Sequence, residues 1–234
     1  MLGDRLRGVA EFVRQGAVFA DIGTDHAYLP VFLLREGIVS YAVCSDVNEG
    51  PLLNARATAE EYGVRENIEF RLTDGARGLE DIPVTDVAIC GMGGELIASI
   101  IDASPIFKSK GVRLILQPMS RQEHLLTYLD ASGFEIVDYS FAKEGEKAYI
   151  ILLAEYSGRA PSKDFLAVQM PAPRARCAVA QRAYLTAKIS SLYRAYHGKN
   201  SASAPCEEEL VRIRYAEDIV RSLDKIIESE GKLL

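Results

Sequence analysis

Acidic and glycine-rich residues follow an early apolar run of this sequence, in the stretch DIGTDHAY that begins at Asp21. Gly23 permits a tight strand-to-helix turn and a close approach of the backbone to a ligand. Asp25 stands where a dinucleotide-binding GxGxxG motif would have its second glycine. Two carboxylates here would repel a diphosphate, whereas they would attract a ligand with amino and sulfonium groups. The cluster therefore favours S-adenosylmethionine (SAM) over a nicotinamide dinucleotide, although alone it also fits a simple acidic turn.

Two more acidic residues end apolar runs further along the chain. Asp46 lies 25 residues after Asp21, an offset at which a carboxylate can accept both hydroxyls of an adenosine ribose. Asp74, followed by Gly75, could accept the amino group of an adenine ring. Each signal is weak by itself, because strand-end aspartates and Asp-Gly turns are common in proteins of every function.

A glycine-rich cluster, Gly91-Met92-Gly93-Gly94-Glu95, follows a fourth apolar run, and Gln117-Pro118-Met119 follows a fifth. Three glycines among four residues remove side chains where a substrate base and a methyl group must approach each other. The carboxyl ends of parallel strands share one edge of a sheet, and ligands bind there. Four such clusters predict a SAM site with Asp21, Gly23, Asp46, Asp74, Gly75, Gly91, Met92 and Gly93 as cofactor-binding residues.

The elements that must position these residues alternate between strand and helix. Strands are predicted at Ala17–Ile22, Tyr41–Ser45, Ile68–Leu72, Val84–Cys90 (ended by Gly91) and Val112–Leu116. Helices are predicted at residues 4–15, Tyr28–Arg35, Leu52–Tyr62, Leu96–Ile101 and Gln122–Ala131. Such alternation is typical of right-handed βαβ units and a mostly parallel, doubly wound sheet.

The pattern changes after residue 133. The segments Phe134–Phe141 and Lys147–Tyr156 are strand-like, and the link between them is too short for a crossover. They should therefore pair as an antiparallel hairpin. A mostly parallel seven-stranded sheet that ends in such a hairpin resembles the Rossmann-like class I SAM methyltransferase sheet more than a nicotinamide-binding one.

The last third of the chain is predicted to be helical. Prolines make residues 158–173 irregular, and two helices follow at 174–197 and 206–231, joined by a turn at Gly198–Pro205. Apolar positions line one face of each helix, with Leu185, Ile189, Leu192 and Tyr193 on the first. We expect a helical hairpin. The domains are therefore predicted at residues 1–157 (SAM-dependent methyltransferase) and 158–234 (helical tail).

The charge is distributed unevenly between these two parts. Residues 1–156 hold 14 Lys and Arg against 24 Asp and Glu, whereas residues 157–234 hold 13 against 9. Within the tail, residues 159–199 carry eight basic side chains and one acid. A basic stretch on an acidic body suits a polyanion, although a solvated helix face fits equally well. The candidate RNA-binding residues are Arg174, Arg176, Arg182 and Lys188.

Other features exclude whole classes of protein. No apolar run approaches the roughly 20 residues that span a bilayer, and the N-terminus does not resemble a signal peptide. The four cysteines are widely spaced and form no CxxC pair, which predicts reduced thiols in a cytoplasmic protein rather than disulfides or zinc ligands. We expect no metal site and no membrane partner.

The run from Asp21 to Pro30, the cluster from Gly91 to Glu95 and the Gln117-Pro118-Met119 segment together resemble the bacterial TrmK family. The likeness extends over essentially the whole chain. The resemblance implies a Rossmann-like catalytic domain, SAM as methyl donor, methylation of N1 of adenine 22 in tRNA, and a coiled-coil-like C-terminal domain that helps to hold the tRNA.

Adenine N1 carries a lone pair and needs no deprotonation before it attacks a methyl group. An acidic or amide oxygen beside the exocyclic amino group would stabilise the positive charge that grows on the ring. The candidates are Asp25, Glu95 and Gln117, with Tyr28 or His26 as stacking or orienting partners. A lone histidine near a turn is also often only a hydrogen-bonded structural residue.

Several alternatives stay open at this stage. The chain could methylate another RNA or a small molecule, although the basic tail disfavours a small molecule. A nicotinamide-dependent oxidoreductase is disfavoured by the acidic first loop and the terminal hairpin. A non-catalytic RNA-binding protein that retains the fold is a third possibility. The helical tail could also form a homodimer.

Overall fold

The computed structural model of this protein describes residues 2–202 and 206–231. The chain forms two compact units. One comprises Met1–Tyr139 and Ile151–Ser162, and the other comprises Ser140–Ile150 and Lys163–Leu234. Each is described below by itself.

A seven-stranded sheet dominates the fold, and its strands lie in the order β3-β2-β1-β4-β5-β7-β6. The strands are β1 (Val18–Ile22), β2 (Tyr41–Asp46), β3 (Ile68–Leu72), β4 (Asp86–Gly93), β5 (Arg113–Ser120), β6 (Phe134–Glu144) and β7 (Lys147–Tyr156). Strands β1 to β5 pair in parallel, and β7 pairs antiparallel with β5. The sequence prediction of a mostly parallel sheet that ends in an antiparallel hairpin is confirmed.

Helices cover the parallel strands of this sheet. They are α1 (Asp4–Ala10), α2 (Tyr28–Arg35), α3 (Glu49–Glu61), α4 (Gly94–Asp102) and α5 (Gln122–Ala131). The central strands are apolar because both of their faces are covered, and Phe19, Val43, Ile89 and Leu114 are completely buried. The strand order reverses between β1 and β4, which creates the crevice where open α/β sheets bind ligands.

Several elements of this unit differ in extent from the sequence predictions. Strand β5 runs past the predicted end at Leu116 to Ser120, so the segment Gln117–Met119 lies within the strand rather than after it. Helix α1 ends at Ala10 instead of residue 15, because the backbone N–H and the guanidinium of Arg14 both turn to the buried carboxylate of Asp86, each at 2.8 Å. Strand β4 does not stop at Cys90. It continues to Gly93 through a bulge, in which Gly91 has a φ of +78° and the register against β5 shifts.

The second unit contains α6 (Phe165–Gln169), α7 (Ala178–Ser201), α8 (Glu207–Gly231) and the turn of the β6–β7 hairpin. Helices α7 and α8 run antiparallel: Arg182 pairs with Asp224 near one end, and Lys199 Nζ lies 2.6 Å from Glu209 Oε1 near the other. Leu185 of α7 and Leu223 of α8 are buried in this helical hairpin. Phe141 from the strand hairpin contacts the ring of Tyr184, with 5.1 Å between the centroids.

The structure of the tail differs from the sequence predictions in the following details. Residues 158–173 are not wholly irregular, since α6 fits between the prolines and is capped by Asp164, whose Oδ1 accepts from Ala167 N at 2.9 Å. Helix α7 extends to Ser201, into the predicted turn at 198–205, of which residues 203–205 lie outside the described residues. Tyr193 is 38% exposed, and its hydroxyl donates to Glu217 rather than packing in the apolar face.

Candidate active site

A cleft of about 410 Å³ opens at the carboxyl ends of β1 and β4. Seven of the residues singled out from the sequence line it: Asp21, Gly23, Asp25, His26, Tyr28, Gly91 and Met92. The loop after β1 is fixed against β2, because the backbone N–H groups of Gly23 and Thr24 both donate to the carbonyl oxygen of Ser45, at 2.7 and 3.0 Å. The tight turn predicted at Gly23 is present, with a φ of +75°.

Asp21 provides the buried charge of this cleft. Its side chain is almost completely removed from water, and burial together with the nearby Asp46 carboxylate raises the pKa of Asp21 to about 6. A buried carboxylate of this kind gains most from a cationic partner. The amino group of a SAM methionine moiety has the required charge.

A smaller cavity of about 120 Å³ adjoins the cleft, and Gly23 and Met92 line both. Asp46, Asp74 and Gly75 line this cavity as well. The side chain of Met92 lies across Gly23, so that a Cβ added to Gly23 would lie only 1.8 Å from the Met92 methyl carbon. One carboxylate oxygen of Asp46 accepts from Asn48 N at 2.8 Å, which orients the group toward the end of β2.

A third cavity of about 270 Å³ shares Asp74 and Gly75 with the second. Ser104 lines it, and its hydroxyl is buried without a hydrogen-bond partner among the described residues. The carboxylate of Asp74, which lines both cavities, is a group that could accept a hydrogen bond from the amino group of a heterocycle such as adenine. Acidic residues at successive strand ends therefore line three adjoining cavities: Asp21 the first, Asp46 and Asp74 the second, and Asp74 the third. These residues could hold a SAM molecule.

Gln117 is placed differently from the other predicted residues. Its side chain is completely buried, and its Oε1 accepts from Arg5 Nη1 at 2.6 Å and from Gly91 N at 3.2 Å. Its amide nitrogen donates to the carbonyl oxygen of Pro118 at 3.1 Å. Both ends of the amide are therefore engaged in holding the β4 and β5 loops, and this geometry favours a positioning role.

Asp25 and Glu95, the two acidic candidates, also differ in position. Asp25 lines the 410 Å³ cleft, and its Oδ2 lies 3.5 Å from His26 Nε2. Glu95 lines none of the three cavities, and its Oε1 lies 3.7 Å from Arg121 Nε on the exposed surface. The geometry favours Asp25 as the acid beside a substrate base. Gly93 directly precedes α4 and lines none of the three cavities.

Sequence reasoning missed two residues of this site. Arg5 lines the cleft from α1, but in the sequence it is one of several basic residues on an amphipathic helix. Ser104 precedes a short 3₁₀-helix at Pro105–Lys108 and has no motif around it. Only the fold brings both to the sheet edge.

The predicted RNA-binding residues lie on and before α7. Arg174 and Arg176 are exposed, Lys188 is partly exposed, and Arg182 forms an ion pair with Asp224. Arg194 is a further exposed basic residue of α7 that the sequence analysis did not single out. Helix α7 contains no acidic residue, which leaves its own charge positive.

Within residues 2–202 and 206–231, no group of three or more His, Cys, Asp or Glu side chains is placed to hold a metal ion. In the same part of the chain, no helix is both long enough and apolar enough to cross a membrane.

Comparison with known proteins agrees with the geometry. The methyltransferase domain family matches residues 2–152. The tRNA (adenine(22)-N(1))-methyltransferase of Bacillus subtilis (strain 168) is 36% identical over 163 residues, which cover 70% of this chain and 68% of that protein.

Solved structures resemble the whole chain, including the tail. The crystal structure of the B. subtilis m1A22 tRNA methyltransferase TrmK has a TM-score of 0.76 at 29% identity, and the match covers 97% of this chain and 99% of that one. The Streptococcus pneumoniae protein Sp1610 in complex with S-adenosyl-L-methionine has a TM-score of 0.79 at 32% identity, over 94% of this chain and 100% of that one. The chain belongs to the methyltransferase domain family and, within it, to the TrmK family of tRNA (adenine-22-N1)-methyltransferases.

Proposed function

We propose that this protein transfers a methyl group from SAM to N1 of adenine 22 in tRNA. The observation that carries the proposal is the set of three adjoining cavities at the crevice between β1 and β4, lined by acidic residues at successive strand ends. The 36% identity to the B. subtilis enzyme supports the choice of tRNA and of adenine 22.

SAM supplies an electrophilic methyl group on a sulfonium. The protein's own residues must hold the cofactor, admit the adenine and exclude water from the path between them. Asp21, Asp46 and Asp74 are the proposed cofactor contacts, with Gly23, Gly75 and the bulged Gly91–Gly93 segment shaping the backbone around them. Met92 lines both the cleft and the 120 Å³ cavity, which we call the ribose cavity because Asp46 lines it.

The role of Asp25 follows from the chemistry of the acceptor. Neutral adenine N1 attacks without losing a proton, so the site needs no general base for that step. Positive charge develops on the ring, and a carboxylate near the exocyclic amino group stabilises it while accepting a hydrogen bond. Asp25 is the proposed acid, Tyr28 lines the same cleft, and Gln117 positions the Gly91 loop through its 3.2 Å hydrogen bond.

The tRNA must present its adenine to the cleft by flipping or local opening, at a cost of a few kcal/mol. Phosphate contacts from the tail would offset this cost. Arg174, Arg176, Arg182 and Lys188 are the proposed contacts. A division of labour between residues 1–157 in catalysis and residues 158–234 in tRNA binding is part of this proposal.

Two further expectations follow from the function and the tail. We expect the protein to act in the cytoplasm, because that compartment contains the tRNA substrate. A homodimer through the tail would cover exposed apolar side chains there, among them Val179 (63% exposed) and Val211 (51% exposed). Sedimentation of the purified protein tests the dimer.

The decisive experiment is transfer of labelled methyl from SAM to unmodified tRNA, followed by nucleoside analysis. We expect 1-methyladenosine, and we expect its loss from a matched transcript in which adenine 22 is replaced by guanine. Labelling of both transcripts would contradict the position. No labelling of either, with SAM binding intact, would contradict tRNA as the substrate and favour another acceptor or a protein that binds RNA without catalysis.

A further inference from the structure

Two aromatic rings stack on each other at the mouth of the 410 Å³ cleft. The centroids of His26 and Tyr28 lie 5.2 Å apart, and the ring planes are inclined by only 14°. Both residues line the cleft, yet the side chain of His26 is 43% exposed and Tyr28 is 48% exposed. The pair therefore presents a flat aromatic surface to solvent beside the proposed methylation site.

A strained residue separates the two rings. Ala27 has a φ of +52° and a ψ of +23°, the left-handed conformation that costs a residue with a Cβ about 1–2 kcal/mol. The turn that it makes joins the β1 loop to the first residue of α2. Strained backbone of this kind concentrates at ligand sites, where the surrounding structure holds side chains in a required arrangement.

The stack contributes little to the stability of the fold. An aromatic pair that is half exposed adds only a small increment to stability beyond the burial of its rings. His26 Nε2 also lies 3.5 Å from Asp25 Oδ2, but both side chains are largely exposed, so this pair adds little stability. The arrangement is better explained by a planar ligand than by folding.

We propose that the His26–Tyr28 stack binds the base of a nucleotide adjacent to the target adenine. The inference rests on the proposed function and deepens it. The buried Asp21 and the half-buried Gly23 lie deeper in the cleft than the two stacked rings, which are 43% and 48% exposed. A target ring that reaches this deeper wall leaves the stacked rings to a neighbouring base. Flipping a base out deprives its neighbour of a stacking partner, and an aromatic side chain replaces that partner at about 1–3 kcal/mol per base.

A double-mutant cycle between protein and RNA tests this interaction. The substrate is a full-length tRNA ligated from two pieces, with an abasic nucleotide on the 5′ or on the 3′ side of adenine 22. The protein variants are Tyr28→Ala and His26→Ala, and Tyr28→Phe is the matched control because it keeps the ring. Methylation of the intact and abasic tRNAs is followed as kcat/KM, and SAM affinity is measured for every variant.

We expect Tyr28→Ala to lower kcat/KM on intact tRNA about ten-fold, and one abasic flank to lower the wild-type value similarly. The two changes combined should cost less than about two-fold more than either alone. Tyr28→Phe should retain several-fold more activity than Tyr28→Ala because it keeps the ring, and the two variants should bind SAM equally. The proposal would be overturned if, for both flanks, the loss from Tyr28→Ala and the loss from the abasic nucleotide simply multiplied in the combined experiment. If Tyr28→Ala loses SAM affinity, the same criterion is applied to His26→Ala, whose ring forms the other half of the stack.

The wild-type protein distinguishes this inference from the function on which it rests. Absence of 1-methyladenosine from intact tRNA would refute the proposed function. Normal methylation with no coupling between either flank and the stacked rings would refute the aromatic interaction alone.

Discussion

The methyl carbon of Met92 lies against Gly23, 1.8 Å from the point where a Cβ at residue 23 would stand. Met92 belongs to the bulged end of β4, and Gly23 directly follows β1. The contact therefore joins the ends of the two strands that flank the crevice. It also lies on the boundary between the cleft and the ribose cavity.

Substitution of Gly23 by Ala should therefore disturb both the fold and cofactor binding. The φ of +75° disfavours any side chain and should cost about 1–2 kcal/mol in the free energy of unfolding. The new methyl would also push the Met92 side chain into the cavities. We expect at least ten-fold weaker SAM binding by calorimetry.

A double variant separates these two effects. Gly23→Ala combined with Met92→Ala removes the collision but leaves the backbone strain, so SAM affinity should recover in part while the loss of stability persists. Recovery of stability to the wild-type value would contradict the assigned cause.

Asp46→Ala should weaken SAM binding strongly. Loss of two hydrogen bonds to a charged acceptor, at about 1.5–3 kcal/mol each, corresponds to a loss of affinity of about 10²- to 10⁴-fold. The matched control is Glu49→Ala, an exposed acid three residues further on at the start of α3. Equal SAM affinities for the two variants would remove Asp46 from the ribose site.

Asp21 should make cofactor binding and stability respond to pH in opposite directions. The folded pKa of about 6 lies above the ordinary value of 3.8, so between these values the folded state binds more protons than the unfolded state. The contribution of Asp21 to stability should therefore decrease by about 3 kcal/mol as pH rises through this window. SAM affinity should instead increase over the same range, because only the carboxylate attracts the amino group.

Asp21→Asn is the comparison that isolates this group. In urea titrations of the cofactor-free protein, the difference between wild type and variant should change with pH from 4 to 7 and then become constant. The affinity of the variant for SAM should be low and independent of pH. A constant difference in unfolding free energy across this range would show that Asp21 does not titrate as assigned.

The parallel core could be predicted from the sequence because its strands are short apolar runs, and because the site residues follow them directly. For that reason Asp21, Asp46 and Asp74 could be identified as candidate site residues from the sequence. The bulge at Gly91 could not be predicted, since glycine after a strand signals both an end and a bulge, and only the register against β5 decides.

The roles of Gln117 and Arg5 depend on tertiary interactions that no local pattern encodes. Gln117 directly follows the buried run Leu114–Leu116, and sequence reasoning cannot tell a polar side chain that faces a cleft from one that supports the wall. The 2.6 Å hydrogen bond between Arg5 and Gln117 joins residues 112 positions apart. Helix α6 could not be predicted, because the prolines on both sides of it indicate irregular structure.

Asp25→Asn and Glu95→Gln should have unequal effects on methyl transfer. Because Asp25 lines the cleft and Glu95 lies on the surface beside Arg121, we expect kcat to fall about 10²-fold in the first variant and less than three-fold in the second. SAM affinity should be unchanged in both. A larger loss of kcat for Glu95→Gln would assign the catalytic acid to Glu95 instead.

Neutralising the basic residues of the tail should weaken tRNA binding without affecting SAM. A variant with Gln at Arg174, Arg176, Arg182 and Lys188 should show weaker tRNA binding in filter assays. The slope of log affinity against log salt should also become shallower by roughly 0.7–0.9 for each phosphate that the variant no longer neutralises. Arg221→Gln on α8, an exposed position paired with Asp218, is the control. An unchanged slope would show that these residues only solvate the tail.

The strand hairpin links the two compact units in a way that constrains any dissection of the protein. The chain passes between the units three times, after Tyr139, Ile150 and Ser162. A fragment that ends near residue 157 would keep Phe141 and Ala142, which are nearly buried in the intact chain, but would lack Tyr184, the ring against which Phe141 packs. Such a fragment should aggregate. The tail therefore cannot be removed, or transferred to another protein, as an independent domain unless the turn of the β6–β7 hairpin is included with it.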